Sequence, residues 1–242
     1  PDIPTVVEQY TGNHTPTLTG RAQKFTGTYV SLDAGNGSTI VADVISVNVN
    51  GVTYTLTIGA NLTGTVSSNG GLRYDSATSL WSLVPATIPN GDYQVVTSVS
   101  VGGGSAVTDI SAYELHINDV APLITLNTIS GGTINLAEEN LALPISGSTD
   151  APVGSTVTVN IGGTDYTAIV VAGGGITGQT NSFVVTVPGT DVAALADGTR
   201  TATASVINRY GVTGTDTETV LVDTSPPTAP PADVAASRDS GI

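Results

Sequence analysis

From Ile45 onward apolar and polar positions alternate strictly. Ile45, Val47 and Val49 are separated by Ser46 and Asn48, and after Asn50-Gly51 the residues Val52, Tyr54, Leu56 and Ile58 alternate with threonines. A period of two on both sides of an Asn-Gly step predicts a β-hairpin closed by a two-residue turn. Pairing across that turn sets Val47 opposite Tyr54 and Ile45 opposite Leu56, with Asn48 and Thr53 together on the polar face. The same pattern returns 112 residues later: Val157, Val159 and Ile161, then Gly162-Gly163, then Thr164, Tyr166 and Ala168, so that Val47 corresponds to Val159 and Tyr54 to Tyr166. Trp81 and Leu83 match Phe183, Val185 and Val187. After a Pro-containing corner and Asn90-Gly91 or Asp197-Gly198 comes one long alternating strand, Tyr93 to Val101 in the first half and Ala202 to Val206 in the second.

Residues 1–14 read as polar and irregular, and the first strand is expected from Thr15-Pro16-Thr17-Leu18-Thr19-Gly20. Only Val192 to Ala196 could form a single helical turn. Gly102-Gly103-Gly104 and Gly173-Gly174-Gly175 read as loops, and the extra length of the first half falls around Ala34 to Gly37 and Gly64 to Tyr74. Short alternating strands with Gly, Asn and Pro between them predict an all-β chain of two tandem immunoglobulin-like antiparallel β-sandwiches joined by a short linker.

The joint is written in the sequence. Asp119-Val120-Ala121-Pro122 is matched by Asp223-Thr224-Ser225-Pro226 at a spacing of 223 − 119 = 104 residues. An Asp closing a β-rich segment, with a Pro three residues on that cannot donate to a ladder, marks the end of one domain and the start of the next. The expected limits are 1–120 and 121–225 for the two sandwiches. Residues 226–242 form a stiff Pro-rich linker and the start of a further repeat.

Composition narrows the function. Twenty acidic against six basic residues give a formal charge of −14, which opposes nucleic acid and anionic lipid and attracts divalent cations. The chain has no Cys, which excludes disulfides and thiolate metal sites, and no Met, which fits exposure to oxidants outside the cell. No apolar run reaches the length of a membrane span, and Pro1-Asp2-Ile3-Pro4 does not read as a secretion signal. His14 and His116 are the only imidazoles. His116, between Leu115 and Ile117, is expected to be an exposed surface residue. Glu138 and Glu139, as strand neighbours, would point to opposite faces and could not form an acid/base pair. Trp81 matches an apolar residue in the other half and belongs to the core. With no nucleophile, base and orienting group to assemble, the chain is expected to be non-enzymatic. Asn13-His14-Thr15, Asn36-Gly37-Ser38 and Asn61-Leu62-Thr63 fit the glycosylation acceptor pattern that short polar loops often produce by chance.

Several strings taken together resemble the bacterial immunoglobulin-like repeats of giant RTX and biofilm adhesins. They are Thr15-Pro16-Thr17-Leu18-Thr19-Gly20, Val185-Thr186-Val187-Pro188-Gly189, Ala196-Asp197-Gly198-Thr199 and Val222-Asp223-Thr224-Ser225-Pro226-Pro227. The resemblance covers nearly the whole chain. It implies a calcium-stiffened extender of a secreted adhesin on a Gram-negative cell surface, supporting adhesion and biofilm formation. It also implies that the partners are neighbouring repeats of the same polypeptide, that the chain is monomeric, and that it neither binds nucleic acid nor inserts into a membrane. Family calcium positions carry over onto Asp119, Asp223 and Asp197. In an immunoglobulin-like chain Asp119 would lie near Asn90 and Asp92, with Asp150 following in the second half, a set of hard oxygen donors suited to Ca2+. From the residues alone, an Asp119 that merely caps a turn among solvated carboxylates explains the pattern equally well. Two other functions fit the composition: a ligand-binding module whose long loops, around Asp33 to Asn36 and Asn69 to Arg73, grip a glycan or protein, and a spacer of an extracellular polysaccharide-degrading enzyme.

Overall fold

The computed structural model describes residues 1–25, 30–32, 39–58, 65–67 and 71–226. The loop expected at Ala34 to Gly37, the Asn36 and Asn61 acceptor sequences, some of the second long loop and the Pro-rich stretch from Pro227 onward lie outside the described residues. The chain is all-β and divides into two compact units. The first comprises Pro1–Val120 with Arg209–Val212, and the second the remainder from Ala121.

The first unit contains β1 (Thr5–Val6), β2 (Gln9–Thr11), β3 (Leu18–Arg21), β4 (Val30–Leu32), β5 (Thr39–Val41), β6 (Asp43–Val49), β7 (Val52–Ile58), β8 (Thr65–Ser67), β9 (Arg73–Asp75), β10 (Leu80–Leu83), β11 (Gly91–Tyr93), β12 (Val95–Ser100), β13 (Val107–Thr108) and β14 (Leu115–Ile117). One sheet runs β1-β3-β10-β9-β8. The opposing layer consists of β13-β12-β6-β7 and β11-β14-β2, and β4 and β5 form a separate ribbon. Leu18, Tyr74, Trp81 and Leu83 face Ile45, Val47, Val49, Leu56, Val95 and Val99 in one buried core. The hairpin β6–β7 has the expected register, Val47 opposite Tyr54 and Ile45 opposite Leu56, and Asn48 Nδ2 donates to Thr53 Oγ1 at 2.7 Å. Asn50 and Gly51 both take positive φ, as a type I′ turn requires.

The second unit contains β15 (Ile124–Leu126), β16 (Thr133–Asn135), β17 (Leu143–Thr149), β18 (Thr156–Ile161), β19 (Thr164–Ile169), β20 (Val171–Ile176), β21 (Gln179–Val187), a helical turn at Gly189–Ala193, β22 (Gly198–Ile207) and β23 (Thr213–Asp223). Its sheets are β15-β17-β21-β20 and β16-β23-β22-β18-β19, closing over Ile145, Val157, Val159, Phe183, Val185, Ala204 and Val206. The two units share a packing device. Trp81 pairs across the ladder with Gly20, and Phe183 with Gly147. A methyl at Gly20 would run into the Thr5 carbonyl and the indole; one at Gly147 would run into the Thr125 carbonyl and the phenyl ring. Trp81 Nε1 donates to that same Thr5 carbonyl at 3.2 Å.

Four expectations are corrected. Residues 1–14 are not irregular but hold β1 and β2, which belong to different sheets and are too short to show a period. The strand expected from Tyr93 to Val101 breaks at Gln94. Its partner is interrupted as well, and the chain between β13 and β14 leaves the ladder. There side-chain carboxylates take over from strand partners: Val95 N donates to Glu114 Oε2 at 2.9 Å and Thr97 N reaches Asp109 Oδ2 at 3.5 Å. In the second unit the corresponding β22 is continuous and pairs with β23 over ten residues. Gly173 to Gly175 do not form a loop but lie in the edge strand β20, where Gly173 and Gly174 take positive φ at a register shift. Glu138 and Glu139 lie in a turn, not a strand, and Glu138 accepts from Asn135 N at 3.0 Å and Ser130 Oγ at 2.8 Å.

Candidate functional site at the closing aspartates

β14 ends at Ile117, and two residues later Asp119 turns back onto the corner that precedes β11. Asn90 Nδ2 donates to Asp119 Oδ1 at 2.6 Å, and Asp119 N donates to Asn90 Oδ1 at 3.2 Å. The second carboxylate oxygen faces His14 Nε2 at 3.1 Å, while His14 Nδ1 faces the Ile88 carbonyl at 2.6 Å. Both ring nitrogens thus meet acceptors, so the arrangement favours the imidazolium, which can donate from both. The Ile88 carbonyl and then Asp119 raise the His14 pKa above the ordinary histidine value. Asn90 and then His14 lower that of Asp119. The His14 backbone is tied to the same corner, since Ile88 N donates to the His14 carbonyl at 2.8 Å. His14 and Asp119 are 105 residues apart and no local pattern joins them, so sequence reasoning did not find this pair.

The structure brings Asn90 to Asp119, as the sequence suggests, but gives Asp92 a different partner. Pairing of β11 with β14 sets Asp92 opposite His116, whose Nδ1 lies 2.6 Å from Asp92 Oδ1. His116 is not the exposed residue expected: its side chain is 15% accessible and its ring stacks on Tyr10 with centroids 4.2 Å apart. The cause is the parallel pairing of β14 with β2, which sets His116 beside Tyr10 and covers the solvent side of the strand.

In the second unit Asp150 closes β17 and holds the entry to β15, accepting from Leu123 N at 2.8 Å. Asp197, at the corner before β22, accepts from Thr224 N at 3.0 Å, Thr224 Oγ1 at 2.9 Å and Ser225 Oγ at 2.5 Å. Those bonds, the Ser225 hydroxyl first, hold its carboxyl below the ordinary range. Asp223 ends β23 with its side chain exposed. Both units therefore clip the corner to the segment that follows the last strand, with the chemistry reversed. In the first the corner amide serves a closing carboxylate; in the second the corner carboxylate serves closing hydroxyls.

The oxygen donors suit a hard cation in kind. In number they are committed elsewhere: both oxygens of Asp119 and both of Asp197 already accept hydrogen bonds, and among the described residues no three His, Cys, Asp or Glu side chains group as a metal site. A cation there would have to exchange with these donors.

No family model and no curated protein sequence matches the chain. Solved structures do. One is from a study of host cell surface retention of a 1.5-MDa bacterial ice-binding adhesin; it is 23% identical over 92% of this chain and 65% of that one, with a TM-score of 0.40. A Ca2+-stabilized adhesin that helps an Antarctic bacterium reach out and bind ice is 24% identical over 88% and 45%, with a TM-score of 0.43. A tetra-tandem repeat in the extending region of a large adhesion protein is 19% identical over 91% and 48%, with a TM-score of 0.34. The chain thus spans 65% of the first of these chains and about half of the other two.

Proposed function

We propose that this chain is a non-enzymatic, tension-bearing extender segment of a secreted adhesin on a Gram-negative cell surface. The observation that carries the reading is the way each unit joins its early strand to its last one. In the first, β2 runs parallel to β14, with Gln9 beside Leu115 and Thr11 beside Ile117. In the second, β16 runs parallel to β23, with Thr133 beside Leu221 and Asn135 beside Asp223. When neighbouring parallel strands are pulled from opposite ends, the bonds between them are loaded in shear and must yield together. An antiparallel hairpin pulled at its open end yields pair by pair. A segment whose work is to transmit force from a binding end to a cell surface needs the first arrangement. The adhesin class comes from the motif resemblance. The limits 1–120 and 121–225, with 226–242 leading into a further repeat, belong to the same reading, as do partners that are sister repeats and a monomeric state.

Calcium is the finer element of the proposal. The reading assigns its oxygen donors within each unit, Asp119, Asn90 and Asp92 in the first and Asp150, Asp197 and Asp223 in the second. A cation would displace His116 from Asp92 and the present hydrogen-bond donors from Asp119, Asp150 and Asp197, and calcium held there stiffens the chain. Small-angle scattering in chelator and in millimolar calcium tests both the extender and the cation. A compact globule of this length has a radius of gyration near ~18 Å, and the extender reading predicts a larger value, about 26 Å. Calcium should narrow the distance distribution of the wild type and leave that of Asp119→Ala unchanged. A value near that of the globule contradicts the extender; an unchanged profile on chelation contradicts calcium alone.

A further inference from the structure

Residues 1–120 carry nine carboxylates and three cations, Arg21, Lys24 and Arg73. With carboxylates in threefold excess, pairing would be the default. Yet the ion pairs among the described residues all use a histidine, and none of the three cations joins one. All three lie on or beside one sheet. Arg21 ends β3 and Arg73 begins β9, both exposed, and Lys24 is exposed in the segment after β3. The ladders set Arg21 opposite Leu80 and Leu80 opposite Asp75 in one outward row, and Thr19 opposite Ser82 and Ser82 opposite Arg73 in the next. Two strand spacings and one two-residue step separate the two arginines, roughly 12 Å between Cα atoms.

The outward face is hollowed. A depression of about 410 Å³ is lined by Thr19, Arg73, Asp75, Thr78, Leu80 and Ser82, with an edge of Trp81 below. Asp75, the carboxylate among its described lining residues, accepts from Thr78 Oγ1 at 2.6 Å and Ala77 N at 3.0 Å, which keep it ionised but directed to its own turn, in no ion pair with Arg73. Arg73, Arg21 and Lys24 still outnumber it on this face. The groove crosses β10, whose backbone is bonded to β3 on one side and β9 on the other. A strand-adding peptide needs a free sheet edge and finds none there. Recognition has to come from side chains: hydroxyls that exchange hydrogen bonds in either sense, a half-exposed Leu80, and guanidinium groups whose fork matches a carboxylate.

We propose that this face binds an acidic polysaccharide, with the guanidinium of Arg73 taking a sugar carboxylate, Arg21 and Lys24 a second along the same chain, and Thr19, Thr78 and Ser82 the ring hydroxyls. The site is independent of the extender reading and of calcium.

The test is a titration of the whole chain with hexagalacturonate, followed by amide NMR in excess chelator so that calcium bridging cannot contribute. Expected are shifts concentrated in residues 18–21 and 73–83, weakened by salt. Arg73→Ala should lose affinity roughly tenfold or more, the value of a charge-assisted bidentate contact, and Arg73→Lys should lose less. Arg73 is exposed and the melting temperature of the variant should not move, so a loss of binding is not a loss of fold. No shifts, equal shifts with a neutral hexasaccharide, or unchanged affinity in Arg73→Ala would overturn the proposal. Equal or tighter binding of a hexaglutamate peptide at the same residues would overturn the saccharide class.

Discussion

At the scale of single residues, two positions without a side chain control the outcome. Gly20 and Gly147 exist to admit an aromatic ring. Replacing Gly20 by Ala drives a methyl into the Thr5 carbonyl and the Trp81 indole, and it should destabilise the first unit by about 1–3 kcal/mol as overpacking does. Trp81, the only tryptophan, reports this by fluorescence in urea, and a loss below ~0.5 kcal/mol would show that β1 moves aside freely. That Trp81 is core could be read from its match to Phe183; its dependence on a glycine in the neighbouring strand could not, because the pairing is set by tertiary register.

The latch of His14 and Asp119 gives a pH dependence of known sign. The folded pKa of His14 is raised, so its contribution is complete below the unfolded value of about 6.5 and is lost as pH rises through the folded one. The folded pKa of Asp119 is lowered, so its contribution is present above about 3.9 and is lost as pH falls through the folded value. The first unit should therefore melt at lower temperature on going from pH 6 to pH 9 in chelator, with His14→Gln removing most of that slope. Equal slopes in the two proteins would show that the latch contributes nothing.

At the scale of elements, legibility follows locality. The two hairpins were readable down to the facing residues because a two-residue turn fixes register and alternation fixes the buried face. The break at Gln94 was not, because Tyr93, Gln94 and Val95 carry no Gly or Pro to mark it and the cause lies in the partner segment. Glu114 and Asp109 are 4% and 8% exposed and accept from backbone groups of β12 that a regular neighbour would have served. Glu114→Ala leaves the buried Val95 N–H without its acceptor and should cost about 1–3 kcal/mol by chemical denaturation, with Glu114→Gln, which keeps a carbonyl, costing less. If the alanine variant is as stable as wild type, the carboxylate is not replacing a ladder bond. The parallel pairings β2–β14 and β16–β23 were equally invisible, since they join residues 115 − 9 = 106 and 221 − 133 = 88 positions apart through paired segments of three residues.

At the scale of the whole molecule, the tandem plan was visible in the spacing of the Asp-x-x-Pro strings and the repeated hairpins, and the all-β architecture followed from them. The candidate site was only partly legible. Asn90 and Asp119 come together as an immunoglobulin-like topology implies, whereas Asp92 pairs with His116, and Thr224 and Ser225 donate to Asp197 in bonds no local pattern announces. The central claim is mechanical, and single-molecule force spectroscopy addresses it directly. Held by its two ends, the chain should unfold in two separate events. The event of the second unit should require clearly higher force than that unit pulled through Thr156→Cys and Ile169→Cys, the open end of the β18–β19 hairpin, where the pairs separate in succession. Unfolding from the ends at forces no higher than those of the hairpin geometry, or a gradual extension with no distinct events, would contradict the account.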